Sequence, residues 1–115
     1  MTQLIQAVIR PEKEKDVLAS LEKAGIKGFT RLDVVGRGRQ KGLHVGPVHY
    51  DELAKVWVMI AVPADDADRA VETIKIAART GNPGDGKVFV SPLVESRTIR
   101  THSSDAGHAR APELR

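Results

Sequence analysis

The longest apolar run in the chain, Val56–Val62, restricts how the chain can fold more than any other feature. In an extended strand, alternate side chains point to opposite faces. This run therefore puts valine and isoleucine on one face and Trp57, Met59 and Ala61 on the other. A strand with one face in water carries polar residues on that face. The run predicts a strand in a sheet whose two faces are both covered.

The rest of the hydrophobic pattern predicts three more strands and two helices. Pro11 suits the first turn of a helix, where the N–H that it lacks would be unpaired, and Asp65 or Asp66 is expected to cap the second helix. The predicted elements, in chain order, are strand Leu4–Ile9, helix Pro11–Ala24, strand Phe29–Val35, strand Val56–Val62, a helix from Asp65 or Asp66 to about Thr80, and strand Lys87–Leu93. This βαββαβ order is the ferredoxin-like pattern, an α+β fold with a four-stranded antiparallel sheet.

Two helices can cover only one face of a four-stranded sheet, which leaves the second apolar face of the predicted sheet open. A large apolar surface is usually buried against another protein, and the simplest candidate is a second copy of the same chain. We therefore predict a closed homo-oligomer. The alternative is a monomer with an unusually apolar open face.

The composition limits the classes of protein to which the chain can belong. A length of 115 residues fits one domain, which we place at 1–101 with a loop at 37–55, followed by a flexible polar tail at 102–115. The chain has no cysteine, no secretory signal pattern at its start and no apolar stretch of about 20 residues, which predicts a cytoplasmic protein without a membrane span. The net charge of +3 allows anionic partners. An aromatic content of 3% argues against nucleic acid as the partner, because bases stack on aromatic side chains.

A glycine-rich segment, Gly81–Lys87, has the spacing of a phosphate-binding P-loop, GxxxxGK. It does not belong to a P-loop nucleotide hydrolase, because Val88 stands where that motif needs serine or threonine and because the segment runs from a helix into a strand. Glycine N–H groups and a lysine can still bind phosphate together. The alternative is an ordinary turn between helix and strand, where glycine and aspartate are common.

A second segment, Gly36–Gly42, combines glycines with Arg37, Arg39 and Lys41 and contains no acidic residue. It lacks the third glycine of a dinucleotide-binding fingerprint, and it is either an anion clamp or a solvated basic loop. In the predicted fold the two segments adjoin opposite edges of the sheet, so they are not neighbours within one chain but can meet across a subunit boundary. A nucleoside triphosphate bound between subunits, with Arg100 as a further cation, is consistent with both segments.

The sequence does not suggest a nucleophile paired with a base, so we do not predict an enzyme. The sequence favours a binding module over two other classes of protein. A phosphoryl-transfer enzyme is disfavoured because no serine or threonine follows Lys87. A ferredoxin-like RNA-binding domain is disfavoured by the shortage of aromatic side chains.

Both glycine segments resemble signatures of the PII family of nitrogen signal-transduction proteins. Gly36–Gly42 is similar to the family's GxGRQKG segment, and Thr80–Val90 is similar to its TGxxGDGKIFV signature. Ala7–Pro11 and Ile99–Thr101 match as well, and the resemblance extends over residues 4–101. The resemblance implies a trimer of ferredoxin-like subunits whose inner sheets pack together.

The resemblance further implies that ATP and ADP compete for clefts between subunits. One subunit would contribute Gly84, Asp85, Gly86, Lys87 and Arg100, and its neighbour Thr30, Gly36, Gly38, Arg39 and Gln40. Magnesium-ATP would then complete a site for the effector 2-oxoglutarate. Gln40 would help to hold the metal, and Lys55 would pair with a carboxylate of the effector. The amides around Lys41 and Gly42 would assist.

Four features depart from the usual PII pattern. The segment between Lys41 and Lys55 is shorter, and Tyr50 does not coincide with the tyrosine that is modified in the family. Met59 replaces an acidic residue, and Thr98 replaces one arginine of an R-x-R pair. The change at position 98 removes one expected contact with phosphate.

The short loop, together with His49–Leu53, Ala78–Gly81 and Ser91–Pro92, is similar to the nitrogenase-associated subgroup of PII proteins. In that subgroup the protein pairs with a second PII-type chain and inhibits the dinitrogenase component when nitrogen is plentiful, and effector binding releases the inhibition. The resemblance therefore implies nitrogenase as the target. The alternative is a general PII regulator of glutamine synthetase, an ammonium transporter or another metabolic target.

Overall fold

The computed structural model describes residues 1–37, 43–45, 48–50 and 52–101. Its elements, in chain order, are β1 (Thr2–Ile9), a short 3₁₀ turn (Pro11–Lys13), α1 (Glu14–Lys23), β2 (Thr30–Gly36), β3 (Leu43–Val45), β4 (Val48–Tyr50), β5 (Leu53–Pro63), α2 (Ala64–Ala78) and β6 (Gly86–Leu93). Within these described ranges, no helix has the length and apolar character that crossing a membrane requires. The elements follow the predicted βαββαβ order, with β3 and β4 added in the middle.

A four-stranded sheet forms the centre of the molecule. Its strand order is β2-β5-β1-β6, and every neighbouring pair is antiparallel. Ile5 of β1 lies opposite Ile60 of β5 on one side and Val90 of β6 on the other. This topology confirms the ferredoxin-like fold, and it places β2 and β6 at the two edges of the sheet as predicted.

The hydrophobic core lies between one face of this sheet and the two helices. Alternate residues of β1 and β5 point into it, so that Ile5 is fully buried and Val58 is 1% exposed. The helices contribute Val17, Leu21 and Ile74 to the same core. Burial of each of these large side chains stabilises the fold by about 1.5–3 kcal/mol.

The face of the sheet that points away from α1 and α2 is also apolar. Leu32 lies opposite Trp57 on this face, and Phe89 lies opposite Gln6. The side chains of Leu32 and Phe89 are 49% and 52% exposed. A single chain therefore leaves open the second apolar face that the alternation in Val56–Val62 predicted.

Both helices begin differently from the prediction. The first helical segment opens with the 3₁₀ turn that precedes α1. The second helix begins at Ala64, directly after Pro63, and no side chain caps it, so the predicted capping by Asp65 or Asp66 is wrong. Asp65 and Asp66 lie in the first turn of α2 instead, where their negative charge is favoured by the positive end of the helix dipole.

The predicted loop at 37–55 contains two short strands within its described residues. These strands, β3 and β4, pair in antiparallel fashion with Leu43 opposite Tyr50, and β5 begins at Leu53 rather than at Val56. The predictions for the tail at 102–115 lie outside the described residues. The same holds for the predicted site residues Gly38, Arg39, Gln40, Lys41 and Gly42.

Candidate functional site

Three parts of the chain meet at one end of the sheet. Ile9, the last residue of β1, pairs with Val56 of β5 on one side and with Gly86 of β6 on the other. Arg10 follows β1, Lys55 lies near the start of β5, and residues 80–85 lead from α2 into β6. We refer to residues 80–85 as the 80–85 turn. These groups lie side by side and form the candidate site.

The side chain of Asp85 stabilises the 80–85 turn through hydrogen bonds within the turn. Its carboxylate accepts hydrogen bonds from the backbone amides of Thr80 and Gly81, each at 2.9 Å, and from the Thr80 hydroxyl at 2.5 Å. The Thr80 hydroxyl oxygen accepts a further bond from the amide of Asn82 at 3.1 Å. The donors on Thr80, its hydroxyl foremost, hold the pKa of the Asp85 carboxyl well below its usual range. The ionised carboxylate therefore shapes the turn.

Two glycines, one in the turn and one at the start of β6, have a conformation that other residues rarely adopt. Gly84 and Gly86 have φ angles of +99° and +104°, in the left-handed region that side chains with a Cβ disfavour. A Cβ on Gly86 would also stand 1.7 Å from the carbonyl oxygen of Val8 in the neighbouring strand. Glycine is thus required at position 86 for two independent reasons, the backbone conformation and the close approach of β1.

Arg10 fastens the 80–85 turn to the end of β1. Its Nε donates to Oδ1 of Asp85 at 3.0 Å, and its Nη2 donates to the carbonyl oxygen of Pro83 at 2.8 Å. The side chains of Arg10 and Asp85 are 22% and 23% exposed, so their ion pair is largely shielded from water. Local sequence patterns could not predict this role for Arg10, because the contact joins residues 75 positions apart.

Lys55 reaches the same turn from β5. The residue is buried, with 7% of its surface exposed, and its Nζ donates to the carbonyl oxygen of Gly84 at 2.5 Å. A lysine ammonium has three N–H donors, and within the described residues only this one bond uses them. Burial and, after it, the charge of Arg10 lower the pKa of Lys55. A bound anion would stabilise such a pair of neighbouring cations.

Several of the predicted site residues lie together in one chain. Gly84, Asp85, Gly86 and Lys87 follow one another beside Lys55. Gly36 ends β2, and a Cβ placed on it would lie 3.4 Å from Cγ of Lys55. Strands β5 and β1 separate Gly36 from the 80–85 turn, as predicted, but the long side chain of Lys55 lies against both.

Thr30 and Arg100, two other predicted site residues, lie in different parts of the chain. Thr30 begins β2, at the opposite end of that strand from Gly36, and faces Met59 across the strand pair. Arg100 lies beyond β6 and is exposed. Within one chain, Thr30 therefore does not share the end of the sheet that carries Arg10.

A groove of about 480 Å³ adjoins the turn, between α2 and the start of β6. Its lining includes the apolar side chains of Ile74 and Val88, the carboxylate of Asp85 and the cations Lys75, Arg79 and Lys87. Lys75 also pairs with Glu72 of the same helix at 3.3 Å. Positive charge therefore accumulates around a turn that is rich in glycine. Such a combination attracts and binds anions.

The fold and the site together define a ferredoxin-like domain with a glycine-rich turn suited to anions. Residues 2–103 match the family model described as Nitrogen regulatory protein P-II. The chain belongs to this family, whose members are regulatory signal proteins. The resemblance inferred from the two glycine segments is thereby confirmed.

Individual relatives agree with this assignment. The chain is 51% identical over 98 residues to the nitrogen fixation nifHD region GlnB-like protein 1 of Methanothermococcus thermolithotrophicus, covering 85% of this chain and 93% of the relative. It is 48% identical over 99 residues to the nifHD1 region GlnB-like protein 1 of Methanosarcina barkeri, covering 86% and 94%. The fold matches the crystal structure of Arabidopsis thaliana PII bound to citrate with a TM-score of 0.76 and 34% identity, covering 91% of this chain and 89% of that one.

Proposed function

We propose that this protein senses nitrogen status: it binds ATP or ADP together with 2-oxoglutarate and regulates nitrogenase activity through the loop at 37–55. The observation that carries the proposal is the buried residue Lys55, whose ammonium has spare N–H donors beside Arg10 and the 80–85 turn. A carboxylate is a natural partner for such a lysine. The Arabidopsis thaliana PII structure, which holds the carboxylate ligand citrate, supports this choice.

The phosphates of ATP or ADP are proposed to bind the 80–85 turn and the start of β6, where positive-φ glycines and cations gather. On this side of the cleft we assign Gly84, Asp85, Gly86, Lys87 and Arg100, and on the adjoining subunit Thr30, Gly36, Gly38, Arg39 and Gln40. Asp85 acts by shaping the turn, since its oxygens accept bonds from Thr80, Gly81 and Arg10. Mg²⁺, held by Gln40 and phosphate oxygens, would neutralise part of the phosphate charge.

The assembly that we propose is a trimer, in which neighbouring subunits cover the apolar face of each sheet. Leu32 and Phe89, each about half exposed in the single chain, lie on that face. Exposed apolar surface of this kind commonly marks a protein interface. A second PII-type chain could replace one copy through the same face.

We propose the cytoplasm as the compartment, because ATP and 2-oxoglutarate are cytoplasmic metabolites.

The effector is proposed to act on the loop through Lys55, which is the last residue of the segment 37–55 and lies within β5. A ligand shifts a conformational equilibrium only by binding the two states with different affinity. Magnesium-ATP and 2-oxoglutarate, the latter bound by Gln40, Lys41, Gly42 and Lys55, would select the loop state that releases the target. Nitrogenase as that target is supported by the nifHD-region names of two relatives.

Isothermal titration calorimetry tests the order of binding that this function requires. ATP is expected to bind without the effector, and 2-oxoglutarate is expected to bind only when Mg²⁺ and ATP are both present, because the metal completes the effector site. Binding of 2-oxoglutarate without ATP or without Mg²⁺ would contradict the ordered site. An absence of ATP binding would contradict the function itself.

Two lysine variants sharpen this measurement. Lys87→Ala removes a cation at the start of β6 and is expected to weaken ATP binding about tenfold. Lys23→Ala removes an exposed cation from the last turn of α1, away from the site, and is expected to leave the affinity unchanged. In an assay of purified nitrogenase, which itself contains magnesium-ATP, the wild-type protein is expected to lower the activity, and added 2-oxoglutarate is expected to restore it.

A further inference from the structure

Two different cations hold consecutive carbonyl groups of the 80–85 turn. The carbonyl oxygen of Pro83 accepts from Nη2 of Arg10 at 2.8 Å, and that of Gly84 accepts from Nζ of Lys55 at 2.5 Å. Arg10 directly follows β1, and Lys55 lies in the neighbouring strand β5. Both bonds therefore tie the turn to the end of the sheet and set its orientation.

The direction of a carbonyl group determines the direction of the amide that follows it. In a trans peptide unit the C=O and N–H groups point to opposite sides. With the carbonyls of Pro83 and Gly84 directed at Arg10 and Lys55, the N–H groups of Gly84 and Asp85 point away from these cations. Within the described residues neither amide has an acceptor. Both are therefore available to donate to a ligand.

We infer that Arg10 is a positioning residue for bound phosphate, because it orients the 80–85 turn so that the amides of Gly84 and Asp85 face the ligand. Lys55 shares this task through its bond to the Gly84 carbonyl. The inference rests on the proposed function, which supplies both the phosphate and the carboxylate. It adds a physical link between the two ligands, since Lys55 holds the turn with one N–H donor and would bind the carboxylate with the others.

The chemistry of arginine suits this role better than that of lysine. A guanidinium presents its N–H groups in a rigid planar fork, so that Arg10 grips the Asp85 carboxylate and the Pro83 carbonyl at the same time. A lysine at position 10 would keep the charge but would lose the fixed geometry of the two bonds. Arg10→Lys is therefore expected to fall between the wild-type protein and Arg10→Gln in ATP affinity.

The test compares ATP with adenosine in the wild-type protein, Arg10→Gln and Arg69→Gln. Arg69 is a matched control, because it is an exposed arginine of α2 that pairs with Asp66 in the same helix. Arg10→Gln is expected to bind ATP about tenfold more weakly while its affinity for adenosine stays unchanged, because only the phosphates contact the turn. Arg69→Gln is expected to bind both ligands as the wild-type protein does.

Amide resonances separate positioning from simple damage to the turn. The amides of Thr80 and Gly81, which donate to Asp85, are expected to stay protected from exchange in Arg10→Gln. The amides of Gly84 and Asp85 are expected to shift on addition of ATP in the wild-type protein and to respond much less in the variant. Equal ATP affinity and equal responses in both proteins would overturn the inference. So would loss of protection at Thr80 and Gly81, which would reduce Arg10 to a purely structural role.

A wild-type protein that does not bind ATP would refute the proposed function instead. Inorganic triphosphate then serves as the probe for the inference, because it presents phosphate oxygens without a base. The amides of Gly84 and Asp85 are expected to respond to it in the wild-type protein and not in Arg10→Gln. Failure of these two amides to respond in the wild-type protein would overturn the inference as well.

Discussion

Gly86→Ala is expected to lower the free energy of unfolding by about 3 kcal/mol or more. The new Cβ would stand 1.7 Å from the carbonyl oxygen of Val8, so β1 and β6 would have to separate to admit it. The φ angle of +104° at this position adds backbone strain for any residue with a side chain. Urea denaturation at one fixed protein concentration measures the loss, because the stability of an oligomer depends on concentration.

Gly81→Ala is the matched control for this substitution. Gly81 has a similar φ angle of +91°, but a Cβ placed on it would have no neighbour within 4 Å. Only the strain of the backbone remains, and we expect a loss of about 1 kcal/mol. Equal losses at Gly81 and Gly86 would show that the close approach of β1 and the start of β6 does not decide the stability of this region.

Lys55→Met is expected to reduce the affinity for 2-oxoglutarate by about a hundredfold in the presence of magnesium-ATP. Methionine fills a similar volume but offers no charge to a carboxylate. The free energy of unfolding is expected to change by at most about 1 kcal/mol, because the substitution also removes a buried cation from the neighbourhood of Arg10. ATP affinity is expected to fall only a few-fold, since Arg10 still holds the Pro83 carbonyl.

Two further proteins complete this comparison by calorimetry. Lys55→Arg keeps the charge, and it is expected to retain part of the effector affinity that Lys55→Met loses. Lys23→Met carries the same substitution at an exposed position in α1 and is expected to bind both ligands normally. Binding of 2-oxoglutarate to Lys55→Met with wild-type affinity would remove Lys55 from the effector site.

Hydrophobic alternation was sufficient to predict most of the fold. The apolar run in Val56–Val62 indicated both the central strand and the second apolar face, which the exposure of Leu32 and Phe89 now locates. The start of α2 was harder to predict. Pro63 precedes the helix without a side-chain cap, and the acidic residues Asp65 and Asp66 in the first turn are of a type that often caps helices. The short hairpin β3–β4 lies in a segment rich in glycine and charge, where no periodic pattern indicates strands.

The candidate site could be predicted only in part, for a similar reason. The spacing of glycines identified the 80–85 turn, because the requirement for positive φ angles is local. The contacts that orient the turn are not local: Arg10 and Lys55 reach it from β1 and β5. No spacing along the chain records such contacts, and the bond of Lys55 to the Gly84 carbonyl became visible only in three dimensions.

Co-assembly of two weakened variants tests most directly whether neighbouring subunits share the phosphate site. Lys87→Ala removes a cation from one proposed side of the cleft and Arg39→Ala removes one from the other, so trimers of either variant alone are expected to bind ATP weakly. When equal amounts of the two are unfolded together and refolded, random mixing leaves both cations in place at roughly a quarter of the subunit boundaries.

The measurement is the number of ATP molecules bound by the mixed trimers and their affinity. About a quarter of the sites are expected to recover wild-type affinity, because each variant supplies the side of the cleft that the other lacks. A mixture that binds ATP no better than its two components would contradict a phosphate site shared between subunits, because Lys87 and Arg39 would then have to act within a single chain.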